Sequence, residues 1–312
     1  MQLSVIVPTY NRSASLTKTL ECLQRQVVPS NFDWEVVVVD NNSQDDTELR
    51  VDALARRLKV PLRYVRETSQ GASYARNRGI AEARANILAF TDDDVRPDPD
   101  WVRLLYSTFE KYSCDAVAGK IELEWHCLRP KWLTDDLLGF LAQINYGSKE
   151  CVLLNEETSP FGPNMAFKRS VFEHIGGFDT GLGPKGKSLS RGEEPELFHR
   201  FLSAGLRAIY QPKALVYHVV DVRQVRKSFF RSVHFLAGKD RGSRLVNSRA
   251  KELLGVPLYL VPQLGRSLVI FLYTAMTAGY RYSLRKEMTA WYFFGLILGC
   301  NERYRSVRRV VS

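Results

Sequence analysis

The sequence predicts an α/β protein: a doubly wound, mostly parallel sheet flanked by helices, followed by a C-terminal helical extension. Two observations carry that prediction. Short apolar, β-branched runs alternate with segments of helical spacing over the first 120 residues, and the runs end in polar clusters. Strand, helix and strand repeated over short connections is the pattern of parallel strands covered on both faces. Sheets of this kind take ligands at the carboxyl ends of their strands, so the residues just after each run are the ones to read.

The strand runs are Leu3 to Val7, Glu35 to Val39, Leu62 to Val65 and Ile87 to Phe90. Between the first two, Leu16, Leu20, Leu23 and Val27 recur at helix spacing after polar Asn11 and Ser13. Further helices are predicted over 46–58, with Leu49, Leu54 and Leu58 as its apolar positions, and over the Ala- and Arg-rich 72–84. From 120 to 220 the pattern loosens. A loop with Trp125 and Trp132 leads to PFGPNMAFKRSVFEHIGGFD, then to a helix over about 193–204, and a final strand from Ala214 to Tyr217 ends in His218. The organisation expected is a first half over 1–120, a second half of the same domain over 121–220, and a basic, partly apolar extension over 221–312.

The chain has 312 residues, 45% hydrophobic and 25% charged, which excludes disorder, collagen-like repeats and a polytopic membrane protein. Five widely spaced cysteines without a CxxC pair point to neither a disulfide framework nor a zinc ribbon. MQLSVIVPTYNR lacks a basic segment before its apolar run and reads as a strand, not a signal peptide. The net charge of +10 is unevenly distributed: residues 221–312 hold 17 Lys/Arg against 5 Asp/Glu, and the remainder 27 against 29. Slightly acidic chemistry thus precedes a basic appendage. With no RNP, zinc or helix-turn-helix signature, nucleic acid is not an expected partner.

Three polar clusters follow the strands: Pro8-Thr9-Tyr10-Asn11-Arg12, Asp40-Asn41-Asn42-Ser43 and Asp92-Asp93-Asp94. Three successive carboxylates repel one another and require compensation. At a strand terminus, oxygen ligands suit a hard divalent cation, Mg²⁺ or Mn²⁺, better than a solvated acidic turn does. Asp40 either accepts hydrogen bonds from a base or ribose or closes an Asx turn with Asn41 and Asn42. Arg76 and Asn77, after Gly71, either meet a diphosphate or form a solvated helical face. Glu193 and Glu194 open a helix and serve either its macrodipole or as a general base. No GxGxxG follows a strand, which disfavours a nicotinamide dehydrogenase. Gly181 to Ser188 formally matches GxxxxGK[ST], but neither flank supplies the strand and helix of a P-loop, so it reads as a loop.

The ordered set SVIVPTYNR, EVVVVDNNSQDDT, GASYARNRG, AFTDDDVRPDPDW, GPNMAFKRSVFEHIGGFD, RGEEPEL and the strand ending in His218 resembles glycosyltransferase family 2 of the GT-A fold, over about residues 3 to 220. The resemblance implies a nucleoside-diphosphate-sugar donor, a divalent metal and inverting transfer to a hydroxyl of a glycan or glycolipid. It places Pro8, Thr9, Tyr10, Arg12, Asp40, Asn42, Arg76, Asp92 and Asp93 on the donor and Asp92 and Asp94 in the DxD positions, with His218 joining them at the metal. Glu194 takes the position of the family's base, with Glu193 the neighbouring candidate, because Glu-Glu stands where many members have an Asp. A catalytically inactive sugar-nucleotide binding or scaffolding protein, or a nucleotidyltransferase on a related fold, are the alternatives. The first fits poorly with an intact carboxylate set and the second with PTYNR after the first strand.

Seven cations, Arg223, Arg226, Lys227, Arg231, Lys239, Arg241 and Arg244, lie close to where the resembled family closes a loop over the diphosphate, which implies that one or two of them partner the leaving group. The uncharged stretches behind them, 253–265, 267–280 and 288–301, are too short to span a bilayer and read either as interfacial helices on anionic lipid or as buried helices of a small bundle. The family-level expectation is a cytoplasmic enzyme at the inner face of the cell membrane.

Overall fold

The computed structural model describes residues 1–186, 188–245 and 250–311, with side chains to residue 306. Strands β1 (Leu3–Thr9) and β2 (Trp34–Asp40) are buried along almost their whole length, which is why their sequences are runs and not alternations. Helices α1 (Ser13–Leu23), α2 (Thr47–Ala55) and α3 (Ala72–Glu82) alternate with them and with β3 (Leu62–Arg66) and β4 (Ile87–Phe90). β3, β2, β1 and β4 pair in that order, all parallel. This is the predicted doubly wound core, and it brings the ends of β1, β2 and β4 to one edge.

Beyond β4 the sheet continues through β8 (Met165–Lys168), which runs antiparallel to β4 and to β6 (Ala116–Trp125), then through β9 (Ala208–Val220) and β5 (Val95–Pro97), and β5 and β7 (Cys151–Leu153) both pair antiparallel with β9. α4 (Trp101–Lys111), α5 (Arg169–Ile175) and α6 (Glu193–Ser203) complete this part. Phe90, Phe167, Phe172 and Phe178 meet at centroid distances of 5.4 to 6.3 Å, mostly edge to face, and form the aromatic centre of the core.

Several sequence expectations shift. α1 stops at Leu23, and Val27 is 58% exposed, because its amide donates to Pro99 O instead of continuing the helix. In α2 the buried positions are Thr47, Val51 and Leu54, which places Leu49 on the opposite side, 73% exposed. Trp125, expected in a loop, closes β6, and the last strand begins at Ala208 rather than Ala214. The Gly181–Ser188 stretch follows a helix and not a strand, and its Lys187 lies outside the described residues.

The chain forms two compact units. The first comprises Met1–Glu124, Leu141–Lys187 and Gly192–Val219, and contains every predicted site residue. The second comprises Trp125–Phe140, Ser188–Arg191 and Val220–Ser312. In the second unit α7 (Lys227–Arg244) packs on α9 (Tyr280–Val311), after a small hairpin of β10 (Glu252–Leu253) and β11 (Val256–Pro257) and helix α8 (Leu260–Thr277). α7 and α9 touch backbone to backbone. A Cβ at Gly238 or Gly242 would stand 2.0 or 2.1 Å from the carbonyl oxygens of Tyr292 and Leu296, and one at Gly295 or Gly299 equally close to those of Phe235 and Lys239. Of the seven cations among which one or two diphosphate partners are expected, three are held inside this unit: Arg223 by Asp221, Arg231 by Glu287 and Lys239 by Glu302, at 2.7 to 2.9 Å.

Candidate active site

The Asp92-Asp93-Asp94 turn joins β4 to β5, and its backbone is fixed from below. The buried Thr19 hydroxyl of α1 lies 2.9 Å from both Asp93 O and Val95 O. Asp93 points inward, where it accepts from the Thr9 hydroxyl at 2.7 Å and from Arg12 Nη1 at 3.2 Å. Burial and the like charges of Asp94 and Asp92 push its carboxyl up to about 7, against the pull of Arg12. Arg12 also reaches Asp94 Oδ2 at 2.6 Å. The other Asp94 oxygen, Oδ1, is buried without a hydrogen-bond partner and lies 3.4 Å from His218 Nε2. Sheet register accounts for that meeting, since Val95 pairs with His218 across β5 and β9. Burial alone raises the Asp94 carboxyl, yet His218 and Arg12 together hold it below its ordinary range.

Asp92 turns to the other side. Arg76, on the second turn of α3 and almost wholly buried, places Nη2 3.5 Å from Asp92 Oδ1 and 3.3 Å from Glu194 Oε1, while Nη1 meets Glu193 Oε1 at 2.8 Å. One guanidinium therefore ties the metal-type turn to the start of α6. Burial works against its charge, and the three carboxylates more than offset this, so its pKa rises. Glu193 is buried, and its desolvation and the adjacent Glu194 push its carboxyl up to about 7. Glu194 is more open and accepts from Gly162 N at 3.2 Å. A side chain at residue 162 would collide, because a Cβ there would sit 2.3 Å from Arg76 Nη2 and 2.8 Å from Glu194 Oε1.

Asp40, at the end of β2, accepts from Ser43 N at 2.9 Å and from the Tyr64 hydroxyl at 2.7 Å. Asp40 thus closes the turn through Asn41 and Asn42 three residues on, one further than an Asx turn, with Asn42 at φ 66° and its Oδ1 accepting from Arg66. Asn11 N donates to Ser43 Oγ at 2.9 Å and Asn11 Oδ1 accepts from Gln44 N at 2.7 Å, so the loops after β1 and β2 hold each other. Pro8 and Tyr10 are partly exposed beside them, and the Pro8–Thr9 segment pairs in register with Val39–Asp40.

The family model described as Glycosyl transferase family 2 matches residues 4–176, more than half of the chain. The chain belongs to glycosyltransferase family 2. It is 30% identical over 224 residues to the glucosyl-dolichyl phosphate glucuronosyltransferase of Haloferax volcanii, covering 70% of this chain and 69% of that protein. To the succinoglycan biosynthesis protein ExoM of Rhizobium meliloti it is 25% identical over 254 residues, 81% and 78% of the two chains. Among solved structures, the mannosyltransferase PcManGT of Pyrobaculum calidifontis, in complex with GDP-Man and Mn²⁺, matches with a TM-score of 0.65 at 21% identity, over 96% of this chain and 86% of that one. That likeness bears on the fold, and the fold is GT-A. The protein is accordingly a glycosyltransferase.

For a family 2 glycosyltransferase the arrangement offers two chemically distinct patches. Asp94 Oδ1 lies beside His218 Nε2, an oxygen and a nitrogen of the kinds a divalent cation takes, while the unmet ring nitrogen of His218 is the other one, Nδ1. Among the described residues no group of three or more His, Cys, Asp or Glu side chains is arranged to hold a metal ion, and Asp92 is engaged by Arg76. Glu194 is the open carboxylate and Glu193 the closed one. Sequence reading missed Thr19, Tyr64 and Gly162. Only Gly162 left a trace, in the Gly-Pro punctuation of PFGPN.

Proposed function

We propose that the protein transfers a sugar, with inversion, from a nucleoside-diphosphate sugar to a hydroxyl of a glycan or lipid-linked glycan, with Mg²⁺ or Mn²⁺ bound at Asp94 and His218. The observation that carries this reading is the division of labour between the carboxylates: Asp94 keeps an unpartnered oxygen beside His218, while Glu194 stays open on the far side of Arg76. A bound divalent cation would neutralise the departing diphosphate. Pro8, Thr9, Tyr10, Asp40 and Asn42 line the ends of β1 and β2 and take the nucleoside, with Asp40 already oriented by Tyr64. Asp93 and Arg12 set the shape of the turn.

Glu194 is the base. It has the freedom to meet an acceptor hydroxyl, and it takes the proton as that oxygen attacks the anomeric carbon. One displacement inverts the centre, so no enzyme nucleophile is required. Glu193, buried against Gly183 and Arg76, positions the guanidinium instead. Arg76 holds Asp92 and Glu194 at a fixed separation, which keeps donor and base in register.

Three similar proteins support the substrate class. The complexes of PcManGT with GDP-Man and Mn²⁺ and of GalNAc-T7 with UDP, GalNAc and Mn²⁺ support the kind of donor and ion. The name of the H. volcanii relative supports an acceptor carried on a lipid phosphate. Action at a membrane surface follows from such an acceptor. No helix among the described residues is long and apolar enough to cross a bilayer, so contact would be peripheral. The test is thermal unfolding with UDP and GDP, with and without Mn²⁺. A ligand at about 100 times its Kd stabilises by about 2.7 kcal/mol. Stabilisation that needs Mn²⁺ and disappears in Asp94→Ala is expected, whereas equal stabilisation without the ion would remove the metal from the account.

A further inference from the structure

The second unit leaves one helix strangely clothed for water. α8 buries Leu260 and Ser267, seven residues apart, on one side. On the rest of its surface Val261, Leu268, Val269, Leu272, Tyr273 and Met276 are exposed, the last 79%. Positions 261, 268, 272 and 276 fall on one stripe at helical spacing, and 269 and 273 widen it. The hairpin before α8 extends the same character through exposed Leu253 and Leu258. By contrast the apolar stretch of α9 is consumed inside the unit, where Met288, Leu296 and Cys300 are buried. A contiguous exposed apolar surface of this kind marks an interaction face.

Charge selects the occupant. Residues 251–286 contain five Lys/Arg and a single acidic residue, Glu252. Lys251, Arg266, Arg281 and Lys286 are all exposed. A second copy would bring the same positive excess against itself, whereas an anionic surface complements it. A bilayer interface accepts both features at once: apolar side chains enter the headgroup and acyl boundary while Lys and Arg stay with the lipid phosphates. α8 does not qualify as a spanning segment.

We propose that α8 and the preceding hairpin are the membrane-docking face of the protein, seated in the interface of an anionic bilayer. This deepens the peripheral contact in the functional reading above and rests on it for its purpose, delivery of the enzyme to a lipid-linked acceptor.

The test is flotation of the full chain with phosphatidylcholine vesicles and with vesicles also carrying phosphatidylglycerol, for wild type, Leu268→Glu/Leu272→Glu and Arg266→Gln. Wild type should float with the anionic vesicles and much less with the neutral ones. The double variant should lose at least about tenfold in partitioning, and Arg266→Gln about fivefold. Both should keep Mn²⁺-dependent stabilisation by nucleoside diphosphate, which shows an intact fold. Equal partitioning of wild type and both variants would overturn the proposal, as would indifference to lipid charge. A lipid-free dimer in sedimentation velocity that the double variant dissociates would instead assign the face to a second copy. Nucleotide binding read on the same samples tests the functional reading separately: its absence in a wild-type protein that floats would refute the enzyme assignment and leave the docking face standing.

Discussion

Replacing Arg76 with Met removes the guanidinium while keeping most of its length, and leaves Glu193, Glu194 and Asp92 facing one another. At an effective dielectric constant of about 20, a pair of unit charges about 3 Å apart is worth about 5 kcal/mol before desolvation. Removing one member of a buried pair costs about 3–5 kcal/mol. The pair that matters most is Arg76–Glu193 at 2.8 Å, with both side chains at or below 5% exposure, because Asp92 and Glu194 are better solvated. The penalty requires ionised carboxylates. Since the Glu193 carboxyl is raised to about 7, its protonated form favours the folded state, and the stability it contributes is lost as pH rises through that value. Without Arg76 its pKa climbs further, so the variant should lose about 3–5 kcal/mol at pH 8 and less than half of that at pH 5.5. Urea unfolding of both proteins at the two pH values, followed by far-UV circular dichroism, measures it. A penalty below about 1 kcal/mol at pH 8, or one that does not change with pH, would refute the reasoning.

Three further outcomes follow from close contacts. Gly162→Ala should displace Arg76 and Glu194, cost about 1–3 kcal/mol and lower kcat far more than donor affinity, as read by steady-state kinetics beside calorimetric titration. Thr9→Val leaves the buried Asp93 carboxylate with one donor fewer and should cost about 1–3 kcal/mol, while Thr9→Ser, which keeps the hydroxyl, should cost clearly less in the same urea assay. Gly242→Ala puts a methyl group 2.1 Å from Leu296 O, where backbone and not a pliable side chain must yield. It should lower the thermal midpoint and loosen the α7–α9 pair, seen as faster amide exchange in both helices.

The parallel core was legible because a strand buried on both faces has no choice but to be a run: LSVIV and EVVVV announce β1 and β2 directly. The polar clusters after those runs were legible for the same reason, since a carboxylate at the end of a buried strand has to serve something. Leu49 and Val27 misled because a single Leu or Val at helical spacing does not say which side of a short helix is covered, and the packing chose Val51 and Leu54. Contacts made by tertiary approach were beyond reach. Arg76 meets Glu193 from 117 residues away and Thr9 meets Asp93 from 84, and nothing local distinguishes an arginine aimed at carboxylates from one aimed at a phosphate. The choice between Glu193 and Glu194 was likewise a matter of burial, which adjacent identical residues cannot reveal. Of the C-terminal stretches, the apolar part of α9 is buried against α7, as the bundle reading expects, and α8 is left facing out.

Nucleoside diphosphate release, measured with Mn²⁺ over a panel of UDP- and GDP-sugars and a lipid-linked acceptor, tests in one comparison between wild type and Glu194→Gln whether Glu194 takes the acceptor's proton in a metal-dependent transfer. The variant should bind donor with unchanged thermal stabilisation and lose turnover by at least about 100-fold. Turnover by Glu194→Gln close to that of wild type would remove Glu194 from the role of base.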